Sequence, residues 1–305
     1  MMLDNINEKA FVDVPSSKPS IRYPLQQVGI SNRPYYVRVI DPFSGEVKDL
    51  WCQMEVSFAL PADQRGLHMS RIEDAANSLR SERPLAVAGY VAEFKNRLVE
   101  LQKLETCNVS LSFDIEKIIN KNSSGRTSAE LLKIHYNLSQ SAEGEAHAVG
   151  LSVPFINACP CTQRWAMREY YNRLKAEGRP DQEIAALIEA APRQAHTNRG
   201  QATLNVHSAQ ADYPSLYSIL DRSVPIIREL LKGSDEHEVV REAHKQGMFC
   251  EDNIRSIICE TARNYTGVLA PETLVEVSVE VDESVHYHNL TAAVSDQLQN
   301  MSACI

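Results

Sequence analysis

Thr273-Leu-Val275-Glu-Val277-Ser-Val279-Glu-Val281 alternates without a break, with five β-branched residues on one face and Glu276 and Glu280 on the other. A period of two with one apolar face predicts a strand half-buried in an antiparallel sheet. It runs into Asp282-Glu283-Ser284-Val285-His286-Tyr287-His288-Asn289, where a carboxylate and two imidazoles gather at a strand end. Such groups can move protons or ligate a metal, although His and Glu are also common on plain surfaces. Outward from this strand, similar runs predict strands at 36–40, 51–60, 107–113, 131–138, 147–156 and 201–207. Apolar spacing of three and four predicts helices at 70–81, 84–103 with Pro84 as first residue, two within 165–191 around Gly178-Arg179-Pro180, and one at 250–263. A helix over 214–231 should break or kink at Pro225, and Gly233-Ser-Asp235-Glu236 should open another.

The order is β, β, α, α, β, β, and then the same again, which predicts an α+β chain with antiparallel sheets and helix pairs. Residues 1–33 read as an irregular, proline-dotted arm, 34–140 as the first half and 141–305 as the second, with 162–195 as a helical insertion. The 305 residues suffice for a sizeable core, and a net charge of −9 argues against a nucleic-acid binder. Seven cysteines, only 159 and 161 closely spaced, fit a reduced cytoplasm better than a disulfide framework. No apolar run approaches the roughly 18 residues of a membrane span, so no membrane partner is expected.

The chemistry concentrates after the strand Ala148-Val-Gly-Leu-Ser-Val-Pro-Phe-Ile156, at Asn157-Ala-Cys159-Pro160-Cys161-Thr162. A helix follows at once, and thiols at a helix start have lowered pKa values. The plain alternative is a pair of buried structural cysteines. Gln194-Ala-His196-Thr-Asn198-Arg199 precedes another strand, while Asp235-Glu236 and Phe249-Cys-Glu251-Asp252 each suit a helix start without any function. Taken together, Cys159, His196, Glu236 and His286 offer sulfur, nitrogen and oxygen donors that suit zinc, ferrous iron or manganese.

Leu60-Pro-Ala-Asp-Gln-Arg-Gly-Leu-His68-Met-Ser70-Arg71, Ala158-Cys-Pro-Cys-Thr162, His196-Thr-Asn-Arg199, Asp235-Glu236, Phe249-Cys-Glu-Asp252 and Glu283-Ser-Val-His-Tyr-His-Asn289 occur in an order that resembles the prokaryotic metal-dependent GTP cyclohydrolases. The longer Cys159 to His196 spacing looks more like their archaeal branch. The resemblance implies a tandem tunnelling fold assembled into an oligomeric barrel, as a homodimer or homotetramer. It implies a divalent metal (Fe2+, Mn2+ or Zn2+) on Cys159, His196 and Glu236, with GTP as substrate. Catalytic roles fall to Cys161, Glu283 and His286. Glu251 would anchor the guanine, and His68, Ser70, Arg71 and Arg199 are further substrate contacts. The expected reaction opens the guanine imidazole ring at C8, releases formate and gives a dihydroneopterin phosphate for pterin or folate-type cofactors. The alternative is a purine- or pterin-binding relative that keeps the metal site with no catalysis or an altered product. The surroundings differ from the family pattern: Thr197-Asn198 stands for Asn-Gln, Cys250 for Val, and Gly233-Ser234 for Arg-Pro.

Overall fold

A computed structural model of the chain describes residues 13–80, 83–119, 123–229, 232–245 and 247–302. The architecture is mixed α and β, built on antiparallel sheet, and divides into two compact units. The first comprises residues 1–113 and 136–147, the second 114–135 and 148–305.

In the first unit β1 (Leu25–Ile40) pairs antiparallel with β2 (Val47–Leu60). Cys52, Met54, Val56 and Phe58 are buried while Trp51, Gln53 and Glu55 are exposed, as the alternation requires. That buried face is matched by α1 (Met69–Arg80), which buries Ile72, Ala75, Ala76 and Leu79. The short β3 (Leu85–Ala86) follows, then α2 (Val87–Gln102), which buries Val91, Phe94 and Leu98. α2 ends where Lys103 turns left-handed and its N–H bonds the Val99 carbonyl. β4 (Cys107–Ile119) then pairs with β2 from Gln53↔Ser112 to Ser57↔Asn108.

Two expectations change here. The strand β1 reaches back to Leu25, inside the stretch read as an irregular arm, because backbone pairing with 56–60 extends a strand whose side chains are mostly exposed. Residues 1–12 of that arm lie outside the described residues. Pro84 does not open α2: Leu85 and Ala86 first pair in parallel with Val39 and Ile40, and the helix starts after them.

The remaining strands follow in the order β5-β6-β7-β8-β9, all within the second unit except residues 136–147 of β5, β6 and the turn between them. β5 (Ser128–Ser141) and β6 (Gly144–Ala158) come first, and α3 (Pro160–Ala176) and α4 (Asp181–Ala190) lie between β6 and β7 (Thr197–Val206). α5 (Tyr213–Ser223) stops immediately before Val224-Pro225, so the proline ends the helix. The chain beyond it runs extended along β6, with the Ile227 N–H on the Pro154 carbonyl and the Ile156 N–H on the Pro225 carbonyl. α6 (Gly233–Lys245) and α7 (Cys250–Tyr265) precede the hairpin of β8 (Leu274–Asp282) and β9 (Leu290–Gln297), and α8 (Leu298–Met301) closes the described chain. Three helices, α5, α6 and α7, thus lie between β7 and β8, matching the three helical segments read from the sequence there.

Val275, Val277, Val279 and Val281 are buried, as their alternation demands. Phe155 faces Gly200 across β6 and β7, and a side chain there would place its first carbon 2.5 Å from the Phe155 ring. Only glycine leaves the ring room to pack, so the ladder runs unbroken from Val149↔Val206 to Ala158↔Thr197.

Candidate active site

That ladder positions the thiols. Ala158 and Thr197 are its last partners, and the Cys159 N–H bonds the His196 carbonyl at 3.2 Å. Cys159 and His196, 37 positions apart in sequence, are thereby fixed as neighbours, with the α3–α4 insertion looping out between them. Cys159 is the N-cap of α3, Pro160 occupies the first turn, and Cys161 follows it. Burial alone would raise the Cys159 thiol pKa. Hydrogen bonds from the Thr162 backbone and hydroxyl, the Cys161 backbone and His196 outweigh it and hold the pKa below the ordinary thiol value.

A second layer orients the imidazole. His196 Nδ1 lies 3.3 Å from the Asn198 side-chain oxygen, 3.3 Å from Ser284 Oγ and 3.5 Å from Glu283 Oε1. The Asn198 oxygen also accepts the Ser284 backbone N–H at 3.0 Å, while its amide nitrogen donates to Glu283 Oε1. These groups surround one ring nitrogen and fix the orientation of the ring beside Cys159. The Glu283 side chain is only 5% exposed, so its carboxylate depends on that amide. β7 and β8 bring the two together: Arg199 pairs with Asp282, which places Asn198 against the loop that follows β8.

Cys159, Cys161, His196 and His286 line one cleft of about 930 Å3, walled by Trp165, Ala166, Arg168, Glu169 and Asn172 of α3. His286 and His288 stack in the loop after β8, centroids 5.3 Å apart and planes 7° from parallel. They share a face as their spacing suggests, although on a loop rather than a strand.

Other expected residues are placed elsewhere. α6 meets the site through its C-terminal end, where the Gln163 amide donates to the His244 carbonyl and His244 Nε2 contacts the Ala195 carbonyl. Glu236 lies eight residues earlier, about 12 Å back along the helix at 1.5 Å per residue, and is exposed. Its neighbour Asp235 is buried instead, accepting from Ser123 Oγ and the Ser124 N–H at 2.9 Å each, which pins the start of α6. The hydrogen bonds from Ser124 hold the Asp235 carboxyl below its usual range. Glu251 is exposed in the first turn of α7 and accepts from the buried Cys250 thiol at 3.2 Å. Burial pushes that thiol up to about 11, so it stays protonated as the donor. Arg199 is exposed on β7.

The first unit holds His68, Ser70 and Arg71. His68 Nε2 meets Asp13 Oδ1 at 2.6 Å, and its backbone is clasped on both sides by the Gln102 amide. The Arg71 guanidinium donates to the Leu101 carbonyl at 2.9 Å, and Ser70 is exposed at the start of α1.

The family metal fits this chemistry in part. A thiol biased toward thiolate beside an imidazole is a borderline donor pair of the kind zinc or ferrous iron takes. Among the described residues no three His, Cys, Asp or Glu side chains converge as a complete donor set. Asn198 and its bridge to Glu283 escaped the sequence reading, as did Trp165 and Arg168. The bridge spans 85 positions, and only the β7–β8 register reveals it.

A family model described as "Type I GTP cyclohydrolase folE2" matches residues 11–292. The GTP cyclohydrolase MptA of Methanococcus aeolicus is 27% identical over 303 residues, covering 94% of this chain and 97% of its own. GTP cyclohydrolase MptA 2 of Methanocella arvoryzae is 26% identical, covering 93% and 95%. Among solved structures, uricase from Arthrobacter globiformis aligns at 9% identity with a TM-score of 0.45, covering 90% of this chain and 94% of that one.

Proposed function

This chain belongs to the type I GTP cyclohydrolases, and from that premise we infer that it opens the guanine ring of GTP at the cleft holding Cys159, Cys161, His196 and His286. The protein is an enzyme, a GTP cyclohydrolase. The observation that carries the residue-level reading is the Cys159–His196 pair, closed by the β6–β7 ladder and backed by Asn198 and Glu283.

Cys159 and His196 would hold a divalent metal. Glu236, at the far end of α6, would join them from a second copy of the chain or after α6 moves. When bound, the metal would supply Lewis acidity that makes water nucleophilic near neutral pH. Asn198 would hold the His196 ring in its orientation beside Cys159. Glu283, held behind the imidazole, and His286 at the cleft mouth would move protons as the ring C–N bonds break. Cys161, exposed at the helix start, would contact the base near C8. The net chemistry removes C8 as formate by hydrolysis. Glu251 would read the guanine edge, and His68, Ser70, Arg71 and Arg199 would serve the triphosphate. We further propose that each chain forms a tandem tunnelling fold that assembles into an oligomeric barrel, and that the product is a dihydroneopterin phosphate used for pterin cofactors.

The test is to load the protein with ferrous iron, manganese or zinc, supply GTP, and measure formate while identifying the second product by mass. Formate in step with GTP loss is the expected result. Nucleotide binding without formate would support the non-catalytic reading instead.

A further inference from the structure

We propose that Trp165 and Arg168 on α3 form the wall on which the purine nucleoside triphosphate is read, the indole stacking on the base and the guanidinium engaging the phosphates; this rests on the cyclohydrolase reading of the cleft. Beyond the Cys-Pro-Cys-Thr first turn, nothing in the motif set points to α3, whose length read from sequence only as an insertion. Three observations converge on it. Trp165 is 67% exposed although it is among the largest apolar side chains, and its exposed surface lines the same cleft as Cys159, Cys161, His196 and His286. Arg168, three residues on and so on the same helix face, lies 5.3 Å over the indole. Arg168 makes no ion pair among the described residues, although Glu169 and Asn172 stand beside it on the cleft wall.

A planar heterocycle is the natural complement of an open indole, because base stacking needs no particular hydrogen-bond pattern. The exposed surface of the ring is what a base would stack on, and the guanidinium lies over the indole at 5.3 Å. Held there by the ring, it keeps its N–H fork for a phosphate, which it can grip in bidentate fashion. In a chain of net charge −9, an uncommitted cation at the thiol cleft also draws a polyanion to the one place where it is useful. The two side chains divide the work: Trp165 senses the base, and Arg168 senses how many phosphates follow it.

The chain has only two tryptophans, so the Trp51→Phe variant leaves Trp165 as its sole indole reporter. Metal-free Trp51→Phe protein is titrated with guanosine and with GTP, and formate release is followed in metal-loaded enzyme. Both ligands should quench Trp165 fluorescence. By calorimetry, Trp165→Ala should weaken both about tenfold, and Trp165→Phe should recover most of the loss. Arg168→Ala should raise KM for GTP about tenfold with kcat little changed, and leave guanosine affinity as it was. Thermal melts should be unaltered, since both side chains sit on the helix surface. Absence of quenching in an enzyme that does release formate would overturn the inference and leave the cyclohydrolase reading intact. Equal loss of guanosine and GTP affinity in Arg168→Ala would overturn the phosphate assignment. If no metal-loaded protein yields formate, the activity reading fails, and the quenching titration still decides whether a purine stacks on Trp165.

Discussion

The perturbation that probes the site most sharply is at Asn198, a residue outside every expected ligand set. Its amide makes three contacts: a donation to Glu283 Oε1, acceptance of the Ser284 N–H at 3.0 Å, and the 3.3 Å approach to His196 Nδ1. A hydrogen bond to a charged group contributes about 1.5–3 kcal/mol and a neutral one about 0.5–1.5 kcal/mol. Asn198→Ala removes both kinds and leaves a nearly enclosed carboxylate without its donor. If half of that orientation energy, about 1–2.3 kcal/mol, acts in the transition state, kcat/KM should fall by about 5-fold to 50-fold. Asn198→Asp is the finer probe. It keeps an acceptor for Ser284 and His196 but sets a carboxylate oxygen against Glu283. Two carboxylates at that distance cannot both stay ionised cheaply, so the pair should take up a proton and the acid limb of the pH–rate profile should move upward. The assay is formate release across pH, with bound metal measured in each variant. Wild-type kcat/KM and an unmoved profile in both variants would refute the claim that Asn198 couples His196 to Glu283.

Cys159→Ala should lose most bound metal and all turnover, while Cys161→Ala keeps metal and loses rate; equal metal content in wild type and Cys159→Ala would remove Cys159 as a ligand. Glu251→Gln should leave melting temperature and metal nearly unchanged and weaken GTP by about tenfold to a hundredfold, since an amide presents a donor where the base also donates; unaltered affinity in a titration would return Glu251 to a plain helix start. His135 offers a stability test. Burial pushes it down to about 4 from an ordinary 6.5, and its Nε2 bonds Ser152 Oγ at 2.7 Å. The unfolded chain therefore binds the proton first, so the contribution of His135 is complete above about pH 6.5 and is lost as pH falls toward 4. That amounts to about 3 kcal/mol at 1.36 kcal/mol per unit. His135→Asn should flatten denaturation midpoints over that window, and an unchanged slope would show that another group governs it.

What the sequence made legible was set by how local its cause was. Val275 to Val281 and Cys52 to Phe58 bury one face, and alternation alone reports that. Pro225 ended α5 because the ring acts on its own neighbours. The β1 segment from Leu25 was hidden, since a strand with exposed side chains carries no apolar rhythm and exists through backbone pairing with 56–60. Leu85 and Ala86 fit a helix by composition, and only the open edge of β1 makes them a strand. At the site, the thiols and His196 were visible as residue types. Asn198 was not, because its meaning lies in a register between β7 and β8. Glu236 shows the reverse: a motif can name a residue while leaving open how the chain would deliver it.

The clasp between Cys159 and His196 has a consequence for how the chain can be cut. The backbone ladder, and not the covalent path through α3 and α4, holds the two residues together. A break in the exposed turn at Glu177-Gly178-Arg179, where Gly178 carries a positive φ, severs that path without touching the ladder. The two fragments should co-purify as a nicked but folded protein. The α3–α4 arm could be lengthened, relabelled or exchanged for that of a relative at little cost in loop-closure entropy. In that sense the fold treats its thiol–imidazole junction as a fixed hinge pin and the arm as an interchangeable attachment, one through which substrate preference can drift while the junction stays put.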